Sequence, residues 1–246
     1  MSGHSKWSQI KRQKGVTDAR RGQLFTKLAR EITISARNGG GDPDANFRLR
    51  LAIQKARAEN MPNDNIERAI KRGTGGGEAV ALEEITYEGY GPGGAAIIVE
   101  AMTDNRNRTA AEVRSTFSRN SGSLGESGCV AWQFESKGVI VTSLRSDSEQ
   151  VALVAIDAGA DDVKIEDDSI EVYTVPEDID AVRQALEGNE VPVQSAEVTM
   201  LPTNTLELSE KDATQTLRLL ERLEDLDDVQ RVYTNAIFPA EVAAAG

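Results

Sequence analysis

The residues that usually build disulfides, metal sites and membrane anchors are scarce in this 246-residue chain. It has one cysteine, Cys129, and one histidine, His4, which excludes an internal disulfide and a Cys/His zinc site. No apolar run reaches the length of about 18 residues that a membrane helix needs, and the polar first residues predict no signal peptide. These absences favour a cytoplasmic protein without a membrane partner.

The same scarcity argues against an enzyme. His4 is the only candidate base, and no Ser/His/Asp set can be assembled around it. Cys129 has no histidine to activate it unless the N-terminal segment folds back, and its predicted strand position favours a buried thiol. The glycines of residues 91–94 are not followed by the Lys-Ser/Thr pair of a P-loop, so we expect a hairpin turn there. The acidic residues 161–171 lack the spacing of a calcium-binding EF-hand loop. We therefore expect no cofactor, no metal and no small-molecule substrate.

Charge is strongly segregated along the chain, although the net charge is −12. Residues 1–77 hold 16 Lys and Arg against 7 Asp and Glu, a net of +9. Residues 78–246 hold 12 against 33, a net of −21. A molecule with this asymmetry presents one end to polyanions and repels them with the other. The alternative is a helical bundle whose basic residues only keep it soluble.

The basic third of the chain has the pattern of three short helices that follow an irregular arm, residues 1–17. A helix is predicted from Asp18 to about Asn38, with an apolar stripe at helical spacing formed by Leu24, Phe25, Leu28, Ile32 and Ala36. Asp42-Pro43 predicts the start of a second helix that ends near Glu59, and Asn63 the cap of a third that reaches Arg72.

Beyond the glycine-rich linker at residues 75–77 the pattern changes to mixed strands and helices. Strands are predicted at residues 82–90, 95–103 and 129–134, with a helix between the last two. Residues 138–201 then follow the order βαββαβ of a ferredoxin-like unit. A helix and a strand at residues 209–235 have no partner nearby in sequence. The simplest account is that they complete the domain formed by the strands and helix of residues 82–134.

The predicted fold is therefore α+β with three domains. The basic arm and helical domain span residues 1–77. A discontinuous α/β middle domain spans residues 78–135 and 202–240, and the acidic ferredoxin-like domain is inserted at residues 136–201.

Several motifs resemble the YebC family, and together they extend over nearly the whole chain. They are Gly3-His4-Ser5-Lys6-Trp7, Asp18-Ala19-Arg20-Arg21-Gly22, Arg48-Leu49-Arg50, Asn60-Met61-Pro62, residues 87–94, residues 103–109, Gly122-Ser123-Leu124-Gly125 and Pro202-Thr203-Asn204. The resemblance implies a helical N-terminal domain with two α/β domains. It also implies a probable DNA-binding transcriptional regulator, with mitochondrial relatives described as translational activators and bacterial ones linked to the ribosome.

Nucleic-acid binding needs many cations on one surface, because each neutralised phosphate releases condensed counterions. Trp7 can stack on an unpaired base, or it can anchor the arm on the helices. The turn at residues 103–109 is either an anion site at a helix N-terminus or a capping turn whose arginines pair with local carboxylates. The candidate nucleic-acid-binding residues are Lys6, Trp7, Lys11, Arg12, Lys14, Arg20, Arg21, Lys27, Arg30, Arg48, Arg50, Lys55, Arg57, Arg106 and Arg108.

Two functions remain open at this point. In the first, the helical domain of a transcriptional regulator docks on duplex DNA, with the transcription machinery as a further partner. In the second, the same domain of a ribosome-associated translation factor binds ribosomal RNA. No helix-turn-helix with side chains aimed at base edges is evident, which favours recognition of shape and phosphate. An acidic scaffold without a nucleic-acid role would leave the basic third unexplained.

Overall fold

The computed structural model describes residues 18–76, 81–143, 147–165, 169–239 and 242, with side chains from residue 21 onward. These residues form two compact units, one of residues 134–201 and one of the remainder. In chain order the elements are α1 (Asp18–Gly39), α2 (Phe47–Ala58), α3 (Asn63–Gly73), β1 (Glu83–Tyr90), β2 (Ala96–Thr103), α4 (Arg106–Arg119), β3 (Ser123–Leu124), β4 (Phe134–Ser143), α5 (Ser148–Asp157), β5 (Asp162–Ile165), β6 (Ser169–Thr174), α6 (Ile179–Gly188), β7 (Val193–Pro202), β8 (Leu206–Glu207), α7 (Glu210–Glu224), β9 (Val229–Thr234) and β10 (Ala236–Ile237). The α+β fold class predicted from the sequence is confirmed.

Helices α1, α2 and α3 pack around a small apolar core. On α1, Leu28, Ile32 and Ala36 are buried at intervals of four residues, and Leu24 and Phe25 pack against them half-buried. This is the predicted stripe, which faces the apolar sides of α2 and α3. A second buried face was not predicted. Ile34 is fully buried beside Leu82 and Met102, so α1 also packs on the domain that follows it.

The larger unit contains a four-stranded sheet in the order β3-β1-β2-β9. Strands β1 and β2 form an antiparallel hairpin whose turn places Gly93 and Gly94 at φ 71° and 85°, a conformation that favours glycine. Strand β2 is almost fully buried because it lies between β1 and β9. Helices α4 and α7 contribute Phe117 and Leu219 to the core of this sheet. The C-terminal αβ pair thus joins strands that precede residue 134.

The smaller unit has the element order β4-α5-β5-β6-α6-β7 and the sheet order β5-β6-β4-β7. This is the ferredoxin-like arrangement predicted from the sequence. Strand β6 is buried along its whole length, since it lies between β4 and β5. Val151 of α5 and Leu186 of α6 are fully buried in the same unit.

Helix α2 begins at Phe47, four residues later than Asp42-Pro43 predicted. The cap is Asn46, a buried residue whose side chain accepts the N–H of Leu49 at 3.1 Å. Its amide nitrogen also donates to the carbonyls of Ser35 and Gly40, both at 2.8 Å. Asn46 therefore caps the start of α2 and also donates to carbonyls at the end of α1. Local sequence signals do not reveal this double role.

The strand predicted at residues 129–134 is wrong. A loop with a short 3-10 helix at Ala131–Gln133 occupies most of it, and strand β4 starts only at Phe134. Cys129 therefore lies half-buried in a loop. The loop is fixed by Glu88, whose carboxylate accepts the N–H groups of Gly128, Val130 and Ala131 at 2.7–2.8 Å.

Replacing Asn46 by alanine tests the junction between α1 and α2. Asn46→Ala should lower the free energy of unfolding by about 2 kcal/mol, because it removes a cap and takes the side-chain donor away from the carbonyl of the buried Ser35. Urea unfolding followed by circular dichroism measures the change. The control is Asn38→Ala, an exposed position where we expect a change below about 0.5 kcal/mol. Equal stability of the two variants would contradict the role of Asn46.

Candidate nucleic-acid interface

Six of the predicted binding residues cannot be placed by their side chains. The arm residues Lys6, Trp7, Lys11, Arg12 and Lys14 lie outside the described residues. Arg20 lies in the first turn of α1, but its side chain is also outside the described part. The geometry of the interface therefore rests on α1, α2, α3 and the turn before α4.

Lys27 and Arg30 of α1 contact the C-terminal end of α7 and the loop that follows it. Lys27 donates to the carbonyl of Glu224 at 2.6 Å, and Arg30 donates to the carbonyl of Asp227 at 2.5 Å. The last carbonyls of a helix have no partner within it, and the negative end of its dipole attracts cations. Two residues predicted to hold phosphates thus attach the helical domain to the end of α7.

Asp228, only 3% exposed, joins three parts of the larger unit. One carboxylate oxygen lies 2.9 Å from Arg30, and the other accepts from Arg108 and Thr109 at 2.7 Å and from Thr103 at 3.0 Å. We call these five residues the Asp228 clamp. Burial alone would raise the pKa of Asp228, but the hydrogen bonds from Arg108, Thr109 and Thr103 and the charge of Arg30 hold it below its ordinary value.

The turn before α4 has the geometry of the capping alternative. Asn105 is the N-cap and accepts the N–H of Arg108 at 3.1 Å. The guanidinium of Arg108 contacts Asp104 at 2.8 Å and Asp228 at 2.7 Å. Arg106 lies 3.7 Å from Glu83, and both side chains are well exposed. Arg108 is therefore committed to the Asp228 clamp, whereas Arg106 is held only by a surface pair.

Cations of α2 surround Glu31 of α1. Lys55 lies 3.5 Å from its carboxylate, and Arg231 of β9 lies at 2.9 Å from the other side. Burial alone would raise the pKa of Glu31, but attraction to Lys55, Arg231 and Arg48 lowers it to about 2. Glu31 thus stays ionised at neutral pH and neutralises part of the predicted cationic surface.

The other α2 cations differ in how firmly they are held. Arg48 forms an exposed ion pair with Glu84. Arg50 donates to the carbonyls of Pro43 at 2.9 Å and Asp44 at 3.1 Å, and so stabilises the turn before α2.

Arg57 of α2 and Arg21 of α1 are both exposed. Arg21 takes part in a further interaction within the chain. No hydrogen bond or ion pair of the Arg57 guanidinium is seen within the described residues. Arg57 is thus the predicted α2 cation that is least committed to the fold.

Helix α3 carries three cations that the sequence analysis did not select. Arg68, Lys71 and Arg72 are exposed and spaced three and four residues apart, which places them on one side of the helix. Within the part of the chain that the structure describes, none of them pairs with a carboxylate; Arg68 bonds to Asn65 and to the Asp64 carbonyl. Their spacing is the sequence signal that indicates these cations, whereas the apolar side of α3 gives no sign of them.

A cleft of about 420 Å³ lies between α1 and α3. Its lining includes Phe25, Met61 and Ala69, together with Arg30 and the exposed Arg68 and Arg72, which form its rim. Leu82 and Asp104, which follow the helical domain in sequence, also line it. This α1–α3 cleft places cationic and apolar groups within one concave surface.

Reactive groups elsewhere are few in the described residues. The pKa of Cys129 is raised by burial and by the nearby charge of Glu88, which makes the thiol less nucleophilic. No three His, Cys, Asp or Glu side chains of the described ranges are grouped as metal ligands. Among the described helices, none combines the length and apolar character that crossing a bilayer requires.

A cationic helical domain joined to an antiparallel α/β domain, with a ferredoxin-like unit inserted in the sequence, defines the class of this protein. Models of the TACO1/YebC N-terminal domain and of the TACO1/YebC second and third domain match residues 5–76 and 82–236. The chain belongs to the TACO1/YebC family.

Relatives of similar length support this assignment. Proteins of Chloroflexus aurantiacus and Roseiflexus castenholzii are each 59% identical over 99% of this chain and 98% of their own, and each is named "Probable transcriptional regulatory protein". The crystal structure of a conserved hypothetical protein from Aquifex aeolicus is 47% identical and matches with a TM-score of 0.85. The match covers 95% of this chain and 97% of the Aquifex aeolicus protein.

Replacing Asp228 by asparagine tests the clamp. Asp228→Asn should lower the free energy of unfolding at neutral pH by about 2–4 kcal/mol, because two guanidinium groups lose a nearly buried partner charge. Urea unfolding measures this loss. The control is the neighbouring Asp227→Asn, whose exposed carboxylate accepts one bond from Gln23 at 3.2 Å. The control should change stability by less than about 0.5 kcal/mol.

The stabilities of the wild type and of Asp228→Asn should depend differently on pH. The folded-state pKa of Asp228 lies below its ordinary value of 3.8. The contribution of Asp228 to stability is therefore complete above pH 3.8 and is lost as the pH falls through the folded-state pKa. The stability difference between the wild type and Asp228→Asn should therefore shrink in acid. A difference that stays constant from neutral pH down to about pH 2 would contradict a charge-based clamp.

Proposed function

We propose that this protein is a regulator of gene expression that binds DNA through the phosphates, using the arm and the helical domain. The observation that carries the proposal is the excess of nine positive charges within residues 1–77. The name of its relatives, which share the full length of the chain, supports a role in transcription.

Apart from Arg50, which stabilises the turn before α2, and Lys55, which pairs with Glu31, the described candidate binding cations fall into two groups in this proposal. Lys27, Arg30 and Arg108 hold the helical domain on the middle domain, as their contacts with carbonyls and Asp228 indicate. The phosphate contacts come from side chains that are exposed or held in weak surface pairs, since such pairs contribute little and can be exchanged. These side chains are Arg21, Arg48, Arg57, Arg106 and the α3 group Arg68, Lys71 and Arg72.

Binding to duplex DNA should weaken steeply with salt. If about six phosphates are engaged, the logarithm of the affinity should fall against the logarithm of the salt concentration with a slope of roughly −5. The variant in which Lys11, Arg12 and Lys14 are replaced by alanine should bind more weakly, with a slope shallower by about 2 to 3. Filter binding at salt concentrations from about 50 to about 300 mM measures the affinity and its salt slope.

The control for the arm variant is Arg222→Ala, which removes an exposed cation from α7, outside the basic third of the chain. It should bind as the wild type does. Circular dichroism shows whether the arm variant keeps its helices. A flat salt dependence of the wild type would overturn phosphate binding, and unchanged affinity of the arm variant would remove the arm from the interface.

Ribosomal RNA is the second candidate ligand, which makes the protein a translation factor. The α1–α3 cleft favours it, because a concave site suits unpaired nucleotides better than a smooth duplex. Crosslinking in cells, followed by sequencing of both DNA and RNA, separates the candidates. Enrichment of promoter DNA supports the transcriptional proposal, whereas enrichment of ribosomal RNA supports the translational one. Recovery of neither above an uncrosslinked control would contradict both.

A further inference from the structure

The α1–α3 cleft has the size of a ligand site. Its volume of about 420 Å³ lies within the range of roughly 300–1,000 Å³ that small-molecule pockets occupy. Met61 and Ala69 are buried in its wall, and the half-buried ring of Phe25 lies beside them. The cleft therefore offers an apolar surface that is large enough for one planar ring system.

Its rim supplies charge and hydrogen-bonding groups. Arg72 is exposed, and no hydrogen bond or ion pair of its guanidinium is seen within the described ranges. Arg68 bonds only to uncharged oxygens, those of Asn65 and of the Asp64 carbonyl, in the same part of the chain. Asn65 and Asp104 also line the cleft and can accept hydrogen bonds.

We propose that the α1–α3 cleft binds one unstacked nucleotide of a single-stranded nucleic acid. The base lies against Phe25 and Met61, and its phosphate contacts Arg72 and Arg68. This inference rests on the proposed function, because it assigns part of the same helical domain to a particular form of the ligand.

The chemistry of the cleft selects a nucleotide over other ligands. An apolar molecule would leave the two rim guanidinium groups unused, and a bare phosphate would leave the apolar wall unused. A nucleotide joins a flat π-face to an anion, and both features find a partner here. A base inside a duplex is stacked on both sides, so the cleft receives a base only from an unpaired strand.

Two substitutions separate cleft binding from general attraction to phosphates. Arg72→Ala removes the rim charge, and Phe25→Leu keeps an apolar side chain but removes the ring. Each should weaken binding of a fluorescein-labelled unstructured 12-mer RNA about 5- to 10-fold in fluorescence anisotropy. Binding of the blunt DNA duplex of the same sequence should be unchanged by Phe25→Leu and weakened by Arg72→Ala less than about threefold, because a duplex can lose a phosphate contact but a paired base does not enter the cleft.

The matched control is Arg57→Ala, which removes an exposed arginine of α2 that does not line the cleft. It should affect the single strand and the duplex equally and by less than about threefold. The 12-mer as single-stranded DNA identifies the source of the nucleotide. Loss with RNA alone supports an RNA ligand, and loss with both supports unpaired strands in general.

A photo-crosslink provides a readout that does not depend on a variant's stability. A single 4-thiouridine in the 12-mer should crosslink to Phe25 or Met61 of the wild-type protein, as mapped by mass spectrometry. Crosslinks confined to other residues would overturn the cleft proposal.

The two levels of the hypothesis can fail separately. If the wild type binds neither strand nor duplex, the proposed function fails. If it binds both with strong salt dependence, but Arg72→Ala and Phe25→Leu behave as Arg57→Ala does, only the cleft proposal fails.

Discussion

Asp228 connects elements that lie far apart in the sequence, and the position of the helical domain depends on it. Its carboxylate receives Arg30 from α1, Thr103 from the end of β2 and two residues from the start of α4. A nearly buried carboxylate is costly unless its oxygens are satisfied, and here both of them are. The consequence is a constraint on α1, which cannot move away from the sheet without removing Arg30 from one oxygen of this nearly buried carboxylate.

This constraint changes how the charge of the helical domain should be understood. The sequence pattern predicts that Lys27 and Arg30 of α1 bind a partner outside the molecule, but they contact the end of α7 and the loop after it. Glu31 further neutralises Lys55 and Arg231. The cations that remain for a polyanion are concentrated on the exposed sides of α2 and α3. Arg30 and Arg48 also pair with Asp228 and Glu84, which lie outside residues 1–77, so the net of +9 overstates the charge that a ligand meets.

The acidic excess has an equally specific location. Residues 134–201 hold 4 Lys and Arg against 16 Asp and Glu, a net of −12, which equals the net charge of the whole chain. The rest of the chain is therefore formally neutral, with its positive part gathered in the helical domain. The inserted unit itself repels polyanions because of this net charge. Segregation of charge by domain gives the molecule a polarity that its overall acidity conceals.

Periodic patterns in the sequence predicted most elements correctly, because helices and strands with one buried side leave a clear signal. The α1 stripe, the ferredoxin-like order and the capping of α4 near Asn105 are examples. The features that the sequence did not predict depend on contacts between different elements of the fold. Asn46 caps α2 because the end of α1 needs its amide, and Ile34 is buried because the middle domain covers it.

The site was less predictable than the fold for the same reason. A charged side chain has the same local pattern whether it binds a phosphate or a distant carboxylate, so Arg30 and Arg57 could not be told apart. The apolar and cationic sides of the cleft belong to two helices, and only their packing brings Phe25 near Arg72. Short-range spacing could have identified the α3 cations, but not the concave surface that they border.

The sheet of the larger unit combines strands from distant parts of the chain, and this affects when its contacts form during synthesis. Strand β9 completes the sheet beside β2, and Asp228 lies directly before it, almost at the end of the chain. Contacts between such distant residues form late, since the intervening chain must be synthesised first. On the ribosome, α1–α3 emerge well before the residues that fix them in place. A nascent chain therefore carries its basic helices before Asp228 is available to pair with Arg30.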